Sequence, residues 1–192
     1  MCLVGLVFVV IGCGESDSIT NEPATLPSRV EAVAARRADP AERFCDVSSP
    51  ANGARVLTLP PLEGAPAPTD GWRWLNLWAT WCAPCIEEMP RIAVWRERLA
   101  REGALIEPFF VSVDRTAEEV ANFRAQHPDA PITARLIDAE GLRPFLDSLG
   151  LDSGATIPVH VLVDPEDRIR CVRTGAVIDT DYPAVRAIVR GG

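Results

Sequence analysis

The chain of 192 residues has no lysine: all 19 of its basic residues are arginines, a bias to which we attach no mechanism. It also lacks a basic stripe. Against those arginines stand 27 acidic residues, for a net charge of −8. Little is left to neutralise a phosphate backbone, so nucleic acid is excluded as a partner class. The N-terminal apolar run, Leu3 to Ile11, has nine residues and is too short to cross a bilayer as a mature helix. No segment repeats. What remains is ordinary for a globular protein, 47% hydrophobic and 24% charged, and long enough for one domain with a real core plus an appendage.

Cysteine is present in meaningful number. Cys2 and Cys13 lie near the start, and Cys45, Cys82, Cys85 and Cys171 in the body, an even number that suits an oxidising compartment. The run 3–11 has the length of the apolar core of an export signal, although no arginine precedes it. Val10-Ile11-Gly12-Cys13 resembles the lipobox of bacterial lipoproteins, which implies cleavage before Cys13 and a lipid on that cysteine. The alternative is an apolar N-terminus tucked into the fold. The expected organisation is a signal peptide over 1–12 and a polar, flexible tether over 13–27. A helical extension rich in alanine and arginine follows over 28–53, broken at Pro40, and the main domain occupies 54–192.

Within that domain, strands are expected at 55–59, 72–78, 104–113, 132–137, 158–163 and 169–177. Residues 60–71, rich in proline and glycine, read as a loop. Helical patterns cover 82–102, 140–149 and 181–190, and a capping box at Thr116-Ala117-Glu118-Glu119 opens another that runs to about His127. The order β-α-β-α, an inserted segment, then β-β-α predicts an α/β fold: a central mixed sheet with helices on both faces.

Cys82-Ala83-Pro84-Cys85 sits where the strand at 72–78 gives way to a helix, and C-x-x-C in such a setting reads as a dithiol/disulfide switch. A thiol at the first turn of a helix meets unpaired N–H groups and the positive end of the helix dipole, which favour thiolate. Pro84 lacks an N–H and fits an early helical position. At 100° per residue, Cys85, Met89, Ile92, Trp95 and Leu99 form one stripe roughly 120° wide that should face the core. Cys85 is thus expected buried and Cys82 exposed at the helix mouth. Glu87 points away from the stripe. Glu88 falls inside it, as does Arg96. An unpaired carboxylate in the stripe costs free energy through desolvation, so Glu88 either exchanges a proton with the buried thiol, or it snorkels out or pairs with an arginine.

The run from Leu75 to Pro90, Leu-Asn-Leu-Trp-Ala-Thr-Trp-Cys-Ala-Pro-Cys-Ile-Glu-Glu-Met-Pro, resembles the active-site segment of the thioredoxin superfamily, and most of all its TlpA/ResA-like thiol–disulfide oxidoreductases. Val111-Ser112-Val113-Asp114 resembles the family's second strand, and Thr156-Ile157-Pro158 its cis-proline loop. The likeness is weaker over 130–154. It implies a thioredoxin-like fold in which Cys82 attacks a substrate disulfide and Cys85 resolves the mixed disulfide. It further implies that Glu88 serves the pair, that cis Pro158 packs against it, and that the Ile157 backbone and the rim residue Trp81 meet substrate. Trp78 is expected to pack. The dithiol carries two electrons itself, so no cofactor and no metal is implied. The implied setting is periplasmic or otherwise extracytoplasmic: a membrane-anchored lipoprotein, monomeric, reducing envelope proteins such as apocytochrome c with electrons from a membrane thiol donor.

Cys45 and Cys171 are left over. They read as a structural disulfide holding the extension, with a second redox pair or two free thiols as alternatives. His160 follows the Pro158 loop closely enough to lie near the pair. Copper-delivering proteins of this fold use C-x-x-x-C plus a distant histidine, and the cysteines here are one residue closer. The peroxiredoxin pattern P-x-x-x-T-x-x-C is absent. The competing function from another class is a non-catalytic binding module with an inert Cys82–Cys85 bridge.

Overall fold

The computed structural model describes residues 40–191 apart from 51, 52, 68, 132 and 153. The expected signal peptide, Cys13, the tether and the first part of the extension lie outside the described residues. The extension enters as helix α1 (Pro40–Phe44) and strand β1 (Val47–Ser48). There follow β2 (Leu62–Glu63), β3 (Trp72–Trp78), α2 (Ala83–Arg101), β4 (Ile106–Ser112), α3 (Ala117–Gln126) and β5 (Thr133–Leu136). The chain closes with α4 (Leu142–Leu149), β6 (Val159–Val163), β7 (Ile169–Thr174) and α5 (Tyr182–Arg190).

One mixed sheet runs in the order β1-β7-β6-β3-β4-β5-β2. The pairs β3/β4 and β4/β5 are parallel and the others antiparallel. Strand β3 lies at the centre and is apolar on both faces, as a doubly covered strand must be. Its alternation places Trp72, Trp74 and Trp78 on one face and Leu75 and Leu77 on the other. The tryptophan face packs against Ile92, Trp95 and Leu99 of α2, Phe123 of α3, and Val185 and Val189 of α5. The leucine face packs against Phe145, Leu146 and Leu149 of α4, with Val159, Val161 and Val163 of β6 beside it.

The extension is tied to the edge of this sheet. Cys45 and Cys171 form a disulfide, β1 pairs with β7, and Asp46 accepts hydrogen bonds from the Thr174 N–H and hydroxyl, both at 2.7 Å. The β6–β7 turn is fixed by Asp164, which is buried beside Arg168. Burial alone would raise the Asp164 carboxyl. The Arg168 N–H, the Arg168 guanidinium and the Glu166 N–H outweigh that and hold it below the ordinary aspartate value.

Several elements differ from expectation. Residues 55–59 make no strand. Val56 forms a single bridge with Arg168, and Pro60 and Pro61, which lack N–H groups, follow at once. The expected loop after them contains β2, which pairs with β5 at Leu62–Leu136 and Glu63–Arg135. Strand β7 stops at Thr174 because Gly175 turns with φ 85°, a left-handed conformation that suits glycine. Arg96 leaves the buried stripe: its side chain is half exposed and meets Glu107 of β4 at 2.9 Å.

Candidate active site

Helix α2 opens at the centre of the sheet. Ala79 to Cys82 form a turn, with the Cys82 N–H donating to the Ala79 carbonyl at 3.0 Å. That turn is clamped from β4's end by Asp114, whose carboxylate accepts from the Thr80 N–H at 3.0 Å, the Thr80 hydroxyl at 2.8 Å and the Ser112 hydroxyl at 2.6 Å. Cys82 is the helix N-cap residue and Pro84 lies in the first turn, so the Cys85 N–H is among the donors without a helical acceptor.

Cys82 and Cys85 are joined in a disulfide. Cys85 is fully buried, as the stripe required. Cys82 is not exposed: only 5% of it is accessible. The wheel places Cys82 at the stripe's edge, but the tertiary core reaches over it, and Ile157 packs against the cluster to which both cysteines belong. Trp81, next to Cys82, is 70% exposed and forms the open rim. The Ile157–Pro158 peptide bond is cis. Trp78 packs against Phe123, their ring centroids 5.0 Å apart.

Glu88 and Glu87 separate as the periodicity demands, Glu87 exposed and Glu88 fully buried. Glu88 does not snorkel and has no arginine. Its Oε1 accepts from Asn76 Nδ2 at 2.8 Å and its Oε2 from the Val177 N–H at 2.8 Å. His160 Nε2 stands 3.4 Å from Oε2. Every one of these partners can donate, so Glu88 is held as an acceptor one helical turn from Cys85. Asn76 and His160 are direct neighbours across the β3–β6 pair. Asn76 had no place in the sequence-based site and His160 was expected only to lie near the pair; each is the one polar residue on the α2-facing side of its strand, which is the signal that marks them.

His127 is not part of this arrangement; it stacks on Phe123 at the end of α3, 4.3 Å between centroids. Among the described residues no group of three His, Cys, Asp or Glu side chains could hold a metal ion.

No family model matches the chain. It is 35% identical over 104 residues to the thioredoxin-like protein YneN of Bacillus subtilis, a match covering 54% of this chain and 56% of that one. It is 29% identical over 172 residues to the thiol:disulfide interchange protein DsbE of Pseudomonas aeruginosa, covering 89% of this chain and 81% of that one. The chain spans about half the length of YneN and of a further relative, the thiol–disulfide oxidoreductase ResA of B. subtilis, which it matches at 28% identity over 56% of its own length and 55% of ResA's. Among solved structures, the thioredoxin-related protein of Neisseria meningitidis serogroup B superposes with a TM-score of 0.55 at 26% identity, over 69% of this chain and all of that one.

Sheet order, cysteine pair and cis-proline loop together define a thioredoxin-fold protein. In sequence the chain is similar to thiol–disulfide proteins of that fold, ResA and DsbE among them.

Proposed function

We propose that the protein is a thiol–disulfide oxidoreductase working through Cys82 and Cys85. The observation that carries this is the cysteine pair at the start of α2 with a buried, acceptor-only Glu88 one turn behind it. In the reduced protein the helix N-terminus favours thiolate at Cys82. That thiolate attacks a substrate disulfide, forming a Cys82–substrate bond and releasing one substrate thiolate, which takes a proton from water. Cys85 passes its proton to Glu88 and attacks the Cys82 sulfur. The mixed disulfide breaks, the second substrate thiolate leaves, and Cys82–Cys85 is oxidised while the substrate has gained two electrons.

Pro158 borders the pair, the Ile157 backbone pairs with an extended stretch of substrate, and Trp81 offers an apolar rim. The Cys45–Cys171 bridge is structural and fastens the extension to β7. By resemblance to its relatives, the protein works outside the cytoplasm as a reductase of envelope proteins, apocytochrome c among them, recharged by a membrane thiol donor. It acts as a monomer tethered through a lipid on Cys13. No helix among the described residues is long and apolar enough to cross a membrane.

The test is capture. Cys85→Ser should accumulate a mixed disulfide through Cys82 when the reduced protein meets a disulfide-containing test protein, and Cys82→Ser should form none and lose reductase turnover. Turnover retained by Cys82→Ser would overturn the proposal.

A further inference from the structure

Behind Glu88 lies a histidine that the mechanism above does not use. His160 is 1% exposed and its ring is held on both nitrogens. Nδ1 stands 3.1 Å from the Trp74 indole N–H and 3.2 Å from the Asn76 amide nitrogen that also serves Glu88. Nε2 stands 3.2 Å from the Gly175 carbonyl and 3.4 Å from Glu88 Oε2. The indole can only donate and the carbonyl can only accept, so the contacts settle the tautomer. With hydrogen on Nε2, all of them are complementary. With hydrogen on Nδ1, that N–H would face the indole N–H, and the bare Nε2 would face a carbonyl and a carboxylate. An imidazolium would again set two N–H groups against each other. It would also stand beside Arg173, its register partner on β7, whose guanidinium is 3.5 Å from Asp181.

A carboxylate offers about four lone-pair directions. Oε2 of Glu88 meets two donors, the Val177 N–H and the His160 N–H shared with Gly175. Oε1 meets one, from Asn76. The open direction is therefore on Oε1. We propose that His160 is a positioning residue for the dithiol: as the neutral Nε2–H tautomer it closes Oε2 of Glu88, so that the proton exchanged with Cys85 goes to Oε1. The inference rests on the exchange role given above to Glu88.

Two measurements test it on the full-length protein. Nitrogen-15 NMR of the histidine side chains should show His160 as the Nε2–H tautomer at neutral pH with the pair oxidised and reduced. An Nδ1–H form or an imidazolium would overturn the inference without any variant. The second measurement is the rate of Cys82–Cys85 reduction by dithiothreitol as a function of pH. His160→Leu, which removes the donor, should slow it by about 5–10-fold and change the shape of the profile, and His160→Gln, which returns an N–H, should restore part of the rate. In a Glu88→Gln background His160→Leu should add nothing. Equal slowing in both backgrounds reduces His160 to packing and overturns its role. A wild-type pair inert to dithiothreitol overturns the oxidoreductase reading itself.

Discussion

Glu88→Gln is the sharpest single perturbation of the site, because it keeps the shape and removes only charge and one acceptor. Glu88 meets N–H donors on both oxygens, from Asn76 and from Val177. Glutamine has one oxygen, so one of those donors would face an NH2 group. The Val177 N–H is fixed in the backbone, so the amide oxygen should stay there and the NH2 should turn toward Asn76. Asn76 can answer by flipping its amide, since its Oδ1 has no partner in the native arrangement and would then accept from the introduced NH2 group. The flip sets Oδ1 beside the bare His160 Nδ1, which keeps the Trp74 indole, and moves the Asn76 NH2 to where Oδ1 had no partner. With or without the flip a buried donor loses its acceptor, so the variant costs about 2–3 kcal/mol. Exchange should suffer far more. Removing a positioned proton acceptor from the Cys85 thiol slows reduction by dithiothreitol by about 10²-fold and alters its pH dependence. Urea unfolding followed by tryptophan fluorescence measures the first quantity, and stopped-flow reduction the second. A variant as fast as wild type, with an unchanged pH–rate profile and an intact fold, would refute the role of Glu88.

Replacing Cys45 and Cys171 together by alanine opens a loop spanning 126 residues, worth up to about 5 kcal/mol in the chain-entropy model. Because β1 pairing and the Asp46 bonds remain, a loss of about 2–5 kcal/mol with dithiothreitol reactivity retained at Cys82–Cys85 is expected. An unchanged denaturation midpoint would contradict a structural bridge. Asp164 is held below its ordinary value, so its contribution is present above about pH 4, the unfolded value, and is lost as pH falls through the folded one. Asp164→Asn should thus cost about 1–3 kcal/mol at pH 7, with the gap to wild type closing in acid; a gap that widens in acid would reverse the assignment.

Much of this site was legible because it lies within one stretch of chain. Periodicity along α2 separates buried Glu88 from exposed Glu87 and buries Cys85 without reference to any other element. It failed for Cys82 and Arg96 for one reason: a helical wheel knows the angle of a residue but not what stands opposite. The core reaches over Cys82, while Arg96 is long enough to leave the stripe for Glu107. Asn76 and His160 lie 84 residues apart and meet only through the antiparallel register of β3 and β6. What the sequence does show is that each is the one polar residue on the face of its strand that alternation turns toward α2. Strand β2 was invisible because two residues of pairing next to a pair of prolines leave no periodic trace.

The central claim is that Cys82–Cys85 is an exchanging pair and not an inert bridge. Its reduction potential, measured by equilibration of the full-length protein with dithiothreitol or glutathione buffers, tests that claim directly. The account predicts a pair that equilibrates readily at a potential above about −300 mV. A value below that, with a pair that resists reduction, would make this thioredoxin fold a binding module and contradict the account.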